Sequence, residues 1–243
     1  MSANRKTNFI IGSLIITVIA SISIVFYTSF YKKTATAAPV VNYKESYTEN
    51  DVNKTIIKLE QGIVMITSKD KYSTGIILND QGYILTTEPL DKNTHKVFLS
   101  DGSEINFQVV DSKDPNNLGL YLIKVDAKYI TSFMSLGNSS GLIRGQEIYS
   151  ISNLFGYFGS VTHGIISITN TSVGNFNDLI LTDAVAQDGS LGGAIFDETE
   201  KVLGVILDYY IDNDTKRNSG LSIVLPVNKV KTFLKDNSVN YIE

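Results

Sequence analysis

The sequence contains no cysteine, so neither disulfides nor thiolate metal sites hold this chain together. Histidine is scarce as well: His95 and His163 are the only two in 243 residues. There is no HExxH string, no phosphate-loop glycine pattern and no set of His, Asp and Glu at ligand spacing. Zinc-peptidase and P-loop chemistries are thereby excluded, and no cofactor or metal is expected. Dense basic clusters are missing too. With 21 Lys and Arg against 25 Asp and Glu, the formal charge is −4, which argues against a nucleic-acid partner. The acidic string DNDTK at 212–216 lacks the spacing and glycine of a calcium loop and reads as a solvated hairpin tip.

The chain does carry one long apolar run. From Phe9 to Tyr31 (31 − 9 + 1 = 23 residues) there is no charged side chain. As a helix this run spans about 34 Å, enough to cross a hydrocarbon core of roughly 30 Å. The small-residue string at 35–37 resembles a signal-peptide cleavage site. However, the run is longer than a signal-peptide core, and Lys32 and Lys33 follow it directly. The expectation is an uncleaved transmembrane helix at 9–31, with residues 1–8 cytoplasmic and a linker at 32–50. Arg5 and Lys6 favour the cytoplasm for the N-terminus, which leaves the bulk of the chain extracytoplasmic.

Beyond the linker the pattern changes to short β-type runs separated by Asp, Asn, Gly and Lys. They fall into two sets, from GIVMITS to LGLYLIKV and from EIYSIS to GLSIVLP. Runs at this spacing predict an all-β sandwich or barrel pair. A short helix is expected in NDVNKTIIKLEQG, and another after Pro226, where Val227, Val230, Phe233 and Leu234 form one apolar stripe.

Five strings in order resemble the HtrA-type trypsin-like serine proteases. They are STGIILNDQGYILTTEPL, LSDGSEINFQVVDSKDPNNLGLYLIKV, GYFGSVTHGIISI, TDAVAQDGSLGGAIFDETEKVLGV and GLSIVLPVNKVKTFL, and together they cover about residues 56–235. The resemblance implies two antiparallel six-stranded β-barrels, at 51–130 and 131–225, followed by a C-terminal helix and tail at 226–243. It also implies a single-pass protein of a bacterial envelope, of Gram-positive type.

Within this retained frame the catalytic positions depart from the family. Its histidine falls on Pro89, its aspartate on Leu118 and its nucleophilic serine on Leu191. Gly189, Ser190, Gly192 and Gly193 surround the last position as the former oxyanion loop. A triad needs a hydroxyl nucleophile, an imidazole base and an orienting carboxylate, and these three side chains supply none of them. The resemblance with its departures implies an inactive, membrane-anchored protease homologue that holds a protein or an extended peptide in the former substrate groove, or that serves as an envelope scaffold. The competing reading is a serine-type hydrolase using Ser190 with His95 or His163. For Ser190 a loop hydroxyl bonded to backbone is the plainer account, and for both histidines a structural role is. Glu88, beside Pro89, reads as a relic carboxylate. The tyrosines of DYYID and the aromatics of NLFGYFG read as half-buried packing or as an exposed contact patch.

Overall fold

The computed structural model describes residues 51–69, 71–211 and 217–243. The expected membrane helix at 9–31, the segments 1–8 and 32–50, and the acidic tip at 212–216 lie outside the described residues. Among the described residues no helix is long and apolar enough to cross a membrane.

Helix α1 (Asp51–Glu60) leads into a first sheet of seven strands: β1 (Ile63–Ser68), β2 (Lys71–Ile77), β3 (Tyr83–Thr86), β4 (His95–Phe98), β5 (Glu104–Ile105), β6 (Phe107–Val110) and β7 (Tyr121–Val125). Their order is β5-β4-β1-β2-β3-β7-β6, with every pair antiparallel. The expected count was six. The seventh arises because the run at 104–110 breaks at Asn106, and its two halves pair at opposite edges of the sheet.

A second sheet follows, made of β8 (Ser135–Leu136), β9 (Glu147–Ser152), β10 (Ser160–Val173), β11 (Phe176–Thr182), β12 (Ala194–Phe196), β13 (Lys201–Ile211) and β14 (Asn218–Pro226). Its order is β12-β9-β10-β11-β14-β13-β8, and β12 also pairs with β13. The strands β9 to β14 therefore close into a ring of six. The seventh, β8, is a two-residue addition that runs parallel to β13, so this sheet is not purely antiparallel as expected.

Strands β12 and β14 are apolar on both faces because each face meets a different core. Along β12, Ala194 and Phe196 belong to one buried cluster and Ile195 to another. Along β14, Ile223 and Leu225 alternate with Val224 in the same way. One cluster fills the second ring, around Ile148, Ile166 and Ile206, and another fills the first sheet, around Val64, Ile84 and Ile123. The largest cluster joins Ile63, Leu85 and Leu122 of the first sheet to Ile151, Leu179 and Leu225 of the second. A period-2 pattern with both phases apolar is what a strand buried on both faces requires.

Helix α2 (Val227–Asp236) starts directly after Pro226, and its stripe of Val227, Val230, Phe233 and Leu234 is buried in the shared cluster. At its end Asn237 clasps the first sheet's β6–β7 connection. Its Oδ1 accepts from the Lys113 amide at 2.7 Å, and its Nδ2 donates to the Lys113 carbonyl at 2.8 Å.

Phe233 is 1% exposed and is among the largest fully buried side chains. Phe233→Ala is expected to lower unfolding free energy by about 3–5 kcal/mol. Urea denaturation should show a lower midpoint with an unchanged slope.

Candidate functional site

The loop joining β11 to β12 contains two tight turns in succession. Ser190 N–H donates to the Gln187 carbonyl and Gly193 N–H to the Ser190 carbonyl, each at 2.9 Å. The third position of each turn is a glycine with positive φ, +91° at Gly189 and +83° at Gly192, as a type II turn demands. Close approach also excludes a side chain at both. A Cβ at Gly189 would strike the Asn153 carbonyl oxygen, and one at Gly192 the Thr74 carbonyl oxygen.

Thr74, on β2, receives this loop. Its amide donates to the Leu191 carbonyl and its hydroxyl to the Gly189 carbonyl, both at 2.8 Å. Its own carbonyl accepts from the Thr86 hydroxyl at 2.9 Å. Asn153, at the end of β9, completes the node from the second sheet. Its amide and its Nδ2 reach the Thr74 hydroxyl oxygen at 3.0 and 3.1 Å, and Nδ2 also donates to the Val64 carbonyl at 2.9 Å. Thr74 and Asn153 are both 0% exposed, and a buried polar network is stabilising only when its members are satisfied, as here.

The segments carrying Pro89, Leu118 and Leu191 meet at this end of the first sheet. Thr86 closes β3 and pairs with Tyr121, which opens β7, while Leu191 is bonded through its carbonyl to the neighbouring β2. Pro89 is exposed, Leu191 is half-buried, and Leu118 packs into the core shared by the two sheets. Among the described residues no hydrogen bond joins these three side chains, which carry no donor or acceptor.

Ser190 is fully buried. Its hydroxyl oxygen accepts from the Ser152 hydroxyl at 3.1 Å and from the Gln187 amide at 3.2 Å. Neither histidine is among its partners. His95 Nδ1 accepts from the Asp91 amide at 3.0 Å, and its Nε2 lies 3.8 Å from Glu88 Oε1. Thus Glu88 faces a histidine, but one bound to its own loop. His163 sits 3.8 Å from Glu147 Oε2, with its ring 4.8 Å from that of Tyr149. Among the described residues no three His, Asp or Glu side chains gather as a metal would require.

Thr74, Ser152 and Asn153 were not singled out in the sequence, nor was the pairing of Tyr209 with Asp188. A lone Thr within a β run, or an Asn just after one, carries no mark of a contact 79 residues away. The Tyr209 hydroxyl donates to Asp188 Oδ1 at 2.8 Å, and the Asp188 carbonyl accepts from the Phe155 amide at 2.6 Å. Phe155 takes φ +52°, unusual for a bulky residue. The aromatic strings therefore divide: Tyr209 is half-buried and bonded, whereas Tyr210, Phe155 and Tyr157 are exposed.

The profile of the trypsin-like peptidase domain matches residues 73–205. The chain is 32% identical over 168 residues to a probable periplasmic serine endoprotease, DegP-like, of Bartonella henselae, covering 68% of this chain and 33% of that protein. It is 30% identical over 167 residues to the serine protease Do-like HtrA of Lactobacillus helveticus, covering 65% and 40%. The chain thus spans a third to two fifths of these relatives' length. The solved HtrA-type protease AlgW with tripeptide superimposes with a TM-score of 0.63 at 25% identity, covering 77% of this chain and 64% of that one.

Asn153→Ala removes the side-chain bonds to the Val64 carbonyl and from the buried Gly159 amide and is expected to cost about 1–3 kcal/mol in urea denaturation. Leu191→Ala alters no hydrogen bond and is expected to cost less than about 1 kcal/mol. Separately, the Tyr209 phenol is pushed up from 10.0 to about 12, first by its hydrogen bond to Asp188, then by burial and by the charges of Asp188 and Asp208. Because the folded state holds this proton more tightly, the bond stabilises fully below 10.0 and is lost as pH rises from there through about 12. Ultraviolet titration should resolve this late phenol, and Asp188→Asn should bring it down.

Proposed function

The chain belongs to the trypsin-like peptidase domain family, on its HtrA-type branch, and we propose that it binds an extended peptide or a partner protein without cleaving it. The observation that carries this reading is Leu191, which stands where the family's frame places the nucleophile, between Ser190 and the pair Gly192–Gly193. Pro89 stands where the base belongs. The aspartate position is Leu118 counted forward from Asp114, or Gly119 counted back from Lys124 and Val125. The string is one residue longer there, and neither residue is a carboxylate. Acyl transfer needs a nucleophile whose proton passes to an adjacent base. Loss of triad members costs on the order of a million-fold in turnover.

Ser190 does not supply a replacement: its hydroxyl is fully buried and bonded within the loop. What the fold keeps is the frame: a glycine-turned loop seated on β2, between two packed sheets. An extended peptide that adds a strand to such a frame is held by main-chain hydrogen bonds, which require no catalytic side chain. The likeness to a solved HtrA-type protease with a tripeptide supports a peptide as the ligand class. The apolar run at 9–31 tethers the domain to a membrane. An extracytoplasmic position fits a relative named as periplasmic.

The test is reaction of the full chain with a fluorophosphonate probe, beside an active HtrA-type protease. The active enzyme is expected to be labelled and this chain not. Leu191→Ser alone should remain unlabelled, because the base is still missing. An adduct on Ser190 of the unaltered chain would overturn the reading in favour of a serine-type hydrolase.

A further inference from the structure

The first sheet does not close as the second does, and its seam holds a cavity of about 560 Å³. The seam exists because β5 and β6 sit at opposite edges with only Asn106 between them. We propose that this cavity is a binding site for a phosphate-bearing ligand, independent of the loop at 187–193.

The argument begins with charge. Lys69, Lys92 and Lys96 line the cavity, and among the described residues the only lining carboxylate is that of Glu104. Lys96 Nζ lies 2.8 Å from Glu104 Oε2, so that charge is already matched. Lys69 and Lys92 have no carboxylate partner among the described residues. Nearby, Asp91 turns its Oδ1 to the amide and side-chain nitrogen of Asn93, each at 2.9 Å, and so faces its own loop. Among the described residues, Lys69 and Lys92 are thus two ammonium groups beside one cavity that no carboxylate bridges.

The hydrogen-bonding inventory points the same way. Ammonium groups only donate, and the amide of Asn106 has donors of its own. A ligand suited to this lining carries several acceptor oxygens and more than one negative charge. Lysine acts as a compact point charge, which suits a phosphate at least as well as a planar carboxylate, whereas the fork of arginine favours bidentate pairing. The cavity is larger than a bare phosphate needs, and the half-buried Phe107 gives its lining an apolar element. A phosphate ester, with its organic part against Phe107, fits the chemistry better than the inorganic ion. A membrane-lipid headgroup and a soluble phosphate ester share this chemistry.

Nuclear magnetic resonance of the full chain at low ionic strength tests the proposal, since exposed charges are screened by salt. The probes are inorganic phosphate, glycerol 3-phosphate and dihexanoyl phosphatidylglycerol below its micelle concentration. Saturable shifts are expected at the amides of Lys69, Asn93 and Asn106. The double variant Lys69→Ala/Lys92→Ala is expected to weaken binding about tenfold, whereas Lys113→Ala/Lys235→Ala, away from the cavity, should leave it unchanged. Tighter binding of the lipid assigns a headgroup, and tighter binding of glycerol 3-phosphate assigns a soluble ester. Absence of saturable binding to all three probes, or equal weakening by both double variants, overturns the proposal.

Discussion

Thr74 and Asn153 are the point on which the two sheets depend. Thr74 is an ordinary polar residue in mid-strand and Asn153 one just past a strand end, yet together, both fully buried, they bond the carbonyls of Val64, Gly189 and Leu191. A buried carbonyl left unpaired costs on the order of 1–3 kcal/mol, so the node is a condition for bringing the sheets together rather than an ornament on their contact. It also explains why the loop at 187–193 keeps a fixed shape. The loop is held through backbone groups and through the Ser190 hydroxyl, and Leu191 enters only by its carbonyl. A loop fixed in that way is indifferent to the side chain at its tip. That is a physical reason for a protease-like frame to persist around a leucine.

Much of the architecture was legible in the sequence because burial on two faces leaves a strong mark. Val202, Leu203, Val205 and Ile206 on β13, or Ala194, Ile195 and Phe196 on β12, read as strands without knowledge of their partners. The apolar stripe of α2 was equally plain. Strand counts were less accessible. The break at Asn106 depends on which edge each half of the run at 104–110 joins, and β8 exists only because Leu136 is drawn into the shared core beside Val202. Pairing across distant segments leaves no periodic signal.

The site was legible in its frame but not in its supports. Pro89, Leu118 and Leu191 stand out because the strings around them are otherwise regular. The residues that hold those strings in place, Thr74, Ser152, Asn153 and Tyr209, belong to types common in any turn or strand. Only the fold shows that the Tyr209 hydroxyl meets Asp188 and that Asp188 in turn fixes Phe155. The two histidines present the opposite case. Both look chemically loaded in a chain so poor in imidazole, and both serve their own neighbourhoods, one in the turn at 91–95 and one against Tyr149.

The clasp between Asn237 and Lys113 also bears on the order in which this chain matures on the ribosome. It spans 124 residues, and the tail beyond it reaches back again, with the Asn240 carbonyl accepting from Asn79 and the Ile242 carbonyl from the Leu136 amide. The first sheet therefore emerges long before the groups that finish it. At roughly 5–20 residues per second of synthesis, it must wait several seconds with the Lys113 main chain and the Asn79 side chain still lacking these partners. Contacts this distant slow folding, and a nascent chain in that interval offers open strand edges to any neighbour.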